Sequence, residues 1–120
     1  MNKNNKIQDL SFNFSLEIIR LYKKLLEEKE FILSKQLLRS ATSIGANVEE
    51  AIAAQSRKDF ISKMSVASKE ARESRYWLRL LEESKLVDIS FSSYLISVNN
   101  LVNILTAIVK TSSQPEIKGE

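Results

Sequence analysis

The sequence predicts an all-α fold, an antiparallel up-down-up-down four-helix bundle. Three observations lead there. Apolar residues recur at steps of three and four along most of the chain, the spacing of a single helix face. The 120 residues contain only 2 Gly and 1 Pro, and Pro115 lies in the tail, so long stretches run without a helix breaker. Between Leu37 and Leu81 two apolar faces are joined by almost no loop, so they must pack against each other antiparallel. The length suits one domain with a modest core. We expect a flexible N-terminus over 1–9, a bundle over 10–111 and a disordered tail over 112–120.

The first helix is expected from about Ser11 to Glu28, burying Phe14, Ile18, Leu21 and Leu25. A connector follows in which Phe31 and Leu33 plug the core and Ser34 caps the next helix. The second helix, about Lys35 to Gln55, buries Leu37, Ala41, Ile44, Val48 and Ala51. Its middle is built of small residues: Ser40, Ala41, Thr42, Ser43, Gly45, Ala46 and Asn47. Gly45 costs about 1 kcal/mol relative to Ala inside a helix, so close approach of another helix is expected there, from the same bundle or from another subunit. Ser56, with Asp59 three residues on, caps the third helix in a variant of the capping box. That helix runs to about Lys85, roughly 43 Å at 1.5 Å per residue, and buries Phe60, Met64, Ala67, Ala71, Ser74, Leu78 and Leu81. Counting outward from Ser56 places Val48 near Met64 and Ala41 near Ala71. The same register brings Arg39 within reach of Glu73 and Glu50 within reach of Lys63. Asp88 is the expected cap of the fourth helix, about Ile89 to Thr111, with Phe91, Leu95, Val98, Val102, Leu105 and Val109 on its stripe.

Composition narrows the chemistry. The chain has no Cys and no His, which removes thiol nucleophiles, disulfides, the commonest general base and the commonest metal ligand. No glycine cluster forms a phosphate loop. No Glu lies on the core stripe of the first or fourth helix, where a di-metal bundle site needs one. We therefore expect no enzyme activity, no cofactor and no metal. The apolar stretch Leu101 to Val109 is short against the roughly 20 residues a bilayer requires, and no secretory signal opens the chain. A cytoplasmic protein without a membrane partner is the expectation. Net charge is only +3, from 18 basic and 15 acidic side chains.

Three surfaces invite a functional reading. The third helix carries Arg57, Lys58, Lys63, Lys69, Arg72, Arg75 and Arg79, the densest positive surface in the chain. Such a stripe tracks a phosphate backbone, or it is simply solvated and paired with Glu73, Glu82 and Glu83. Tyr76 and Trp77 point about 100° apart, so one of them reaches the bundle edge, to stack on a base, meet a neighbouring subunit or pack at the boundary. The fourth helix has an uncharged side, Ser93, Ser97, Asn100, Asn103 and Thr106. Together with the small residues of the second helix it points to self-association, with plain solvent exposure as the alternative.

The stretch from Ser34 to Ala51, SKQLLRSATSIGANVEEA, and that from Arg57 to Leu81, RKDFISKMSVASKEARESRYWLRLL, resemble the bacterial four-helix-bundle family of 23S ribosomal-RNA intervening-sequence proteins. The likeness covers roughly Leu10 to Val109. It implies an antiparallel bundle assembled into a homo-oligomeric ring, expected to be a pentamer. A similar fold serves in diversity-generating retroelements as a basic pentamer that binds nucleic acid and a reverse transcriptase. The motif residues Gln36, Arg39, Ser43, Asn47, Glu50, Glu70 and Glu73 are expected to form a polar network that sets bundle register or a subunit contact. The leading expectation is RNA binding through Arg57, Lys58, Lys63, Lys69, Arg72, Arg75, Arg79 and Trp77. The alternative is a scaffold for a protein partner with no nucleic acid bound.

Overall fold

A computed structural model describes residues 3–115 as four helices: α1 (Lys3–Glu27), α2 (Leu33–Ile52), α3 (Arg57–Ser84) and α4 (Ser92–Ser113), with no strand among the described residues. Each helix packs on the next in the chain, and α4 returns to α1 through a sparser seam. The result is the expected bundle, a rod of 59 × 24 × 23 Å. Its core is one continuous apolar cluster. Ile18, Leu21, Ile44, Val48, Met64, Ala71, Leu78, Leu81 and Leu105 are all fully buried, each large one stabilising the fold by about 1.5–3 kcal/mol. These are the stripes read from helical spacing, except that Phe60, Leu95 and Val109 are only half-buried and pack against the edge of the core.

The hairpin register is also as counted. Arg39 pairs with Glu73, and Lys63 Nζ lies 2.9 Å from Glu50 Oε1. Ser56 caps α3, its Oγ accepting the Asp59 N–H at 3.0 Å.

The ends differ from expectation. α1 begins at Lys3 rather than near Ser11, because Ile7 continues the stripe through Ser11, Phe14 and Ile18 and is fully buried. Met1 and Asn2 lie outside the described residues. At the other end α4 continues to Ser113. Arg57 holds that end: its guanidinium donates to the carbonyls of Ser112 (2.6 and 2.9 Å) and Gln114 (2.8 Å). Residues 112–115 of the expected tail are thus placed, and 116–120 lie outside the described residues.

Ser34 does not cap α2. Glu30 does, from a buried position. Its carboxylate accepts the backbone N–H groups of Ile32 and Leu33 at 3.0 Å and of Ser34 at 2.5 Å, and Ser34 Oγ donates back to the Glu30 carbonyl. A carboxylate there also complements the positive end of the helix dipole. The preceding turn closes α1 through bonds from Lys29 N to Leu26 O and from Glu30 N to Leu25 O, which put Lys29 in the left-handed region at φ 64°. Tying the chain down through Glu30 swings Phe31 outward. It is 59% exposed instead of plugging the core, and Leu33 is half-buried.

Asp88 likewise is not a cap. α4 starts at Ser92, and the Phe91 N–H is taken by Glu82 Oε1 of α3 at 3.1 Å. By length and composition α4 is apolar enough to cross a membrane, because its Ser, Asn and Thr carry no charge. In this fold Val98, Leu101, Val102, Leu105 and Ile108 supply one wall of the core, while Asn99, Asn100 and Asn103 stand exposed.

Gly45 faces α1 within the bundle. A Cβ there would lie 3.5 Å from Ser11 O and from Ser15 Oγ, an ordinary contact. The small-residue middle of α2 therefore accommodates the α1 backbone.

Candidate nucleic-acid interface

Opposite its buried stripe, α3 carries a second stripe at alternating steps of four and three: Lys58, Ser62, Ser65, Lys69, Arg72, Tyr76 and Arg79. All are exposed except Ser65, which is half-buried. The face is therefore cationic and hydroxyl-rich, with one exposed aromatic.

Four of the five acids of α3 are turned elsewhere, and Glu83 alone continues the stripe beyond Arg79. Glu70 and Glu73 reach toward α2, where both engage Arg39; the Nη1–Glu70 Oε1 distance is 3.5 Å. Asp59 lies toward Lys63. Glu82 is spent on the Phe91 N–H.

The basic residues differ in what holds them. Lys63 is neutralised by Glu50, which also raises its pKa through their hydrogen bond. Arg79 pairs with Glu83 at 3.4 Å, both well exposed, a contact worth little in water. Arg72 and Arg75 dock on neutral atoms of α4: Arg72 Nη2 donates to Thr106 Oγ1 at 2.8 Å, and Arg75 Nη1 to Asn99 Oδ1 at 3.2 Å. Those bonds orient the guanidinium groups without cancelling their charge. Lys58 and Lys69 are exposed and form no ion pair among the described residues. Arg57 is engaged with the end of α4. Among the described residues, the expected pairing of Arg72, Arg75 and Arg79 with Glu73, Glu82 and Glu83 is thus realised at Arg79–Glu83.

The aromatic pair resolves in the direction opposite to the site assignment. Trp77 is half-buried against the core, its Nε1 donating to Glu73 Oε2 at 3.0 Å. Tyr76 is 55% exposed. The rings meet edge to face, centroids 5.1 Å apart and planes at 67°. Helical spacing could not choose between adjacent aromatics; the acceptor four residues before Trp77 was the available signal.

The expected polar network forms in part. Arg39, Glu70, Glu73 and Trp77 are linked across the α2–α3 seam. The Trp77 N–H, then Arg39, hold the Glu73 carboxyl below the usual carboxylate range against the opposing effect of burial, and Glu73 in turn raises the Arg39 pKa. Among the described residues Asn47 bonds only locally, to the Ser43 carbonyl and hydroxyl. Gln36 is exposed and makes no side-chain hydrogen bond among the described residues. The seam also holds a pair that pattern reading missed: Ser40 Oγ and Ser74 Oγ, both fully buried, lie 2.8 Å apart.

Among the described residues no three acidic side chains gather as a metal site. The outer face of α3 thus presents a row of cations along one helix, of which Arg72 is anchored on α4.

Comparison with known proteins agrees with this architecture. The family model described as 23S rRNA-intervening sequence protein matches residues 3–107. A crystal structure of a protein with unknown function from the S23 ribosomal protein family of Bacteroides thetaiotaomicron is similar, with a TM-score of 0.86 and 45% sequence identity. The match covers 91% of this chain and 99% of that one. Among curated proteins no match was found.

Proposed function

Because this chain belongs to the 23S rRNA-intervening sequence protein family, we propose that it is a non-enzymatic bundle that assembles with copies of itself into a ring, with five members expected, and binds RNA through the outer face of α3 in the cytoplasm. The observation that carries the RNA reading is the cationic stripe Lys58–Lys69–Arg72–Arg79, from which the acids Glu70 and Glu73 are drawn away by Arg39. Arg72 and Arg75 add charge that no carboxylate cancels among the described residues. Binding of this kind is electrostatic and weakly sequence-specific. Affinity in a gel-shift titration should fall steeply with added salt, and Arg72→Gln/Arg75→Gln/Arg79→Gln should abolish most of it. Unchanged binding by the triple variant removes the proposed site.

Self-assembly is supported by exposed apolar residues on faces poor in charge. Phe12 is 61% exposed on α1, and Ile96 is 72% exposed on α4, which has no charged residue before Lys110. Light scattering tests this part, and a monomer at micromolar concentration refutes the ring.

A second reading, a scaffold for a protein partner, is favoured by one end of the bundle. Phe31, Ile32 and Leu86, at 59%, 73% and 59% exposure, surround a recess there with Val87. A 260/280 nm absorbance ratio typical of pure protein, with no gel shift at low salt, decides for the scaffold.

A further inference from the structure

Resting on the RNA reading above, we infer that the α3 face takes an unpaired strand, with Tyr76 stacking one base beside the phosphate-holding cations Lys69, Arg72 and Arg79. The chemistry of the stripe distinguishes strand from duplex. Cations alone serve either, since both present phosphates. An exposed aromatic ring in the middle of the cations serves only a base whose face is free, and in an A-form duplex every base face is covered by its neighbours.

Tyr76 is placed for that role. It lies one turn beyond Arg72 and one turn before Arg79 on the same stripe. The edge-to-face contact with Trp77 sets its ring, and Trp77 is itself pinned by Glu73, which Arg39 holds from α2. The ring is therefore braced from behind by a chain of contacts that crosses to the next helix, so little side-chain freedom remains to be lost on stacking. Beside it opens a recess lined by Tyr76, Arg79, Leu80, Glu83 and Ser84, where Leu80 adds apolar surface and the exposed Arg79–Glu83 pair, worth little in water, can yield Arg79 to a phosphate. From Lys58 to Arg79 the stripe is about 32 Å long at 1.5 Å per residue. That length matches roughly nine nucleotides of a stacked strand at 3.4 Å each.

The test uses the full chain and a fluorescently labelled, unstructured ten-nucleotide RNA, free and annealed to its complement, with binding read by anisotropy. The single strand should bind more tightly than the duplex. Tyr76→Leu should weaken single-strand binding by about five- to a hundred-fold, the range of one lost base stack, and leave duplex binding unchanged. Tyr76→Phe should retain single-strand binding. Circular dichroism of each variant checks the fold. Arg72→Gln reads the other half: it should weaken both ligands and flatten the salt slope by roughly 0.7 to 0.9. Equal affinity for strand and duplex, or a Tyr76→Leu variant that binds as the parent does, overturns the stacking role. If Arg72→Gln still weakens binding in that case, the RNA reading stands without it. No binding of either ligand at low salt overturns both.

Discussion

Replacing Gly45 by Ala should stabilise the protein, and the size of the gain follows from the position. Gly45 is inside α2 with an ordinary helical backbone and no positive φ. Its presence costs about 1 kcal/mol relative to Ala, through the extra freedom of the unfolded chain. The methyl that Ala adds would meet Ser11 O and Ser15 Oγ at 3.5 Å. That separation is ordinary van der Waals contact, so neither α1 nor α2 has to shift, and most of the propensity gain survives. We expect about 0.5–1 kcal/mol of added stability. With a urea m-value of roughly 1–3 kcal/mol/M, the midpoint should rise by roughly 0.2–1 M. The thermal midpoint should rise by roughly 2–5 °C for a domain of this size. Circular dichroism during urea titration is the assay, with variant and parent at one protein concentration because assembly shifts apparent stability. A midpoint that stays put or falls would refute the reasoning. It would mean that α1 lies closer to α2 than described, or that another molecule needs the space.

Three further outcomes follow from the seams and caps. Glu30→Ala leaves three backbone N–H groups at the start of α2 without their acceptor, and should cost about 1–2 kcal/mol by urea titration, whereas Glu28→Ala on the exposed side of the same turn should be near neutral. Ser40→Ala and Ser74→Ala each break the same buried hydroxyl contact. Each should lose about 1 kcal/mol, and the double variant should lose clearly less than the sum in a double-mutant cycle. Glu73 has a folded pKa below its unfolded value. Its contribution is therefore fully present above the unfolded carboxylate pKa of about 4.3 and disappears as pH falls through the folded value. Glu73→Gln should flatten the acid limb of the stability profile, and a profile that matches the parent's would exclude Glu73 as a source of it.

How much was legible depended on whether a feature repeats along a helix or is made once by two distant pieces. The stripes Leu37–Ala51 and Met64–Leu81 repeat, and so the core and the hairpin register could be read, including the Arg39–Glu73 and Glu50–Lys63 pairs. The starts of α2 and α4 do not repeat. The cap of α2 is supplied from outside the helix, by Glu30 of the preceding turn, while α4 has no side-chain cap among the described residues and Glu82 at the end of α3 instead takes the N–H of Phe91 just before it. Local cap preference pointed instead to Ser34 and Asp88, which are the right residue types in the wrong geometry. The early start of α1 was missed because a single apolar residue, Ile7, stands among polar neighbours. At the candidate interface the cations were visible in the sequence, but their availability was not. That depends on where the acids turn, and only the packed α2–α3 seam shows Glu70 and Glu73 held by Arg39. Tyr76 was separated from Trp77 by the same seam.

One structural feature bears on motion. The four helices form a closed circuit whose lightest link joins the first to the last, while Arg57 keeps the end of α4 clasped to α3. Thermal breathing should therefore begin between α1 and α4, with α4 lifting like a flap that stays hinged on α3. Amide protons from Val98 to Val109 should exchange with solvent sooner than those of the α2–α3 pair, which remains the last part of the rod to come undone.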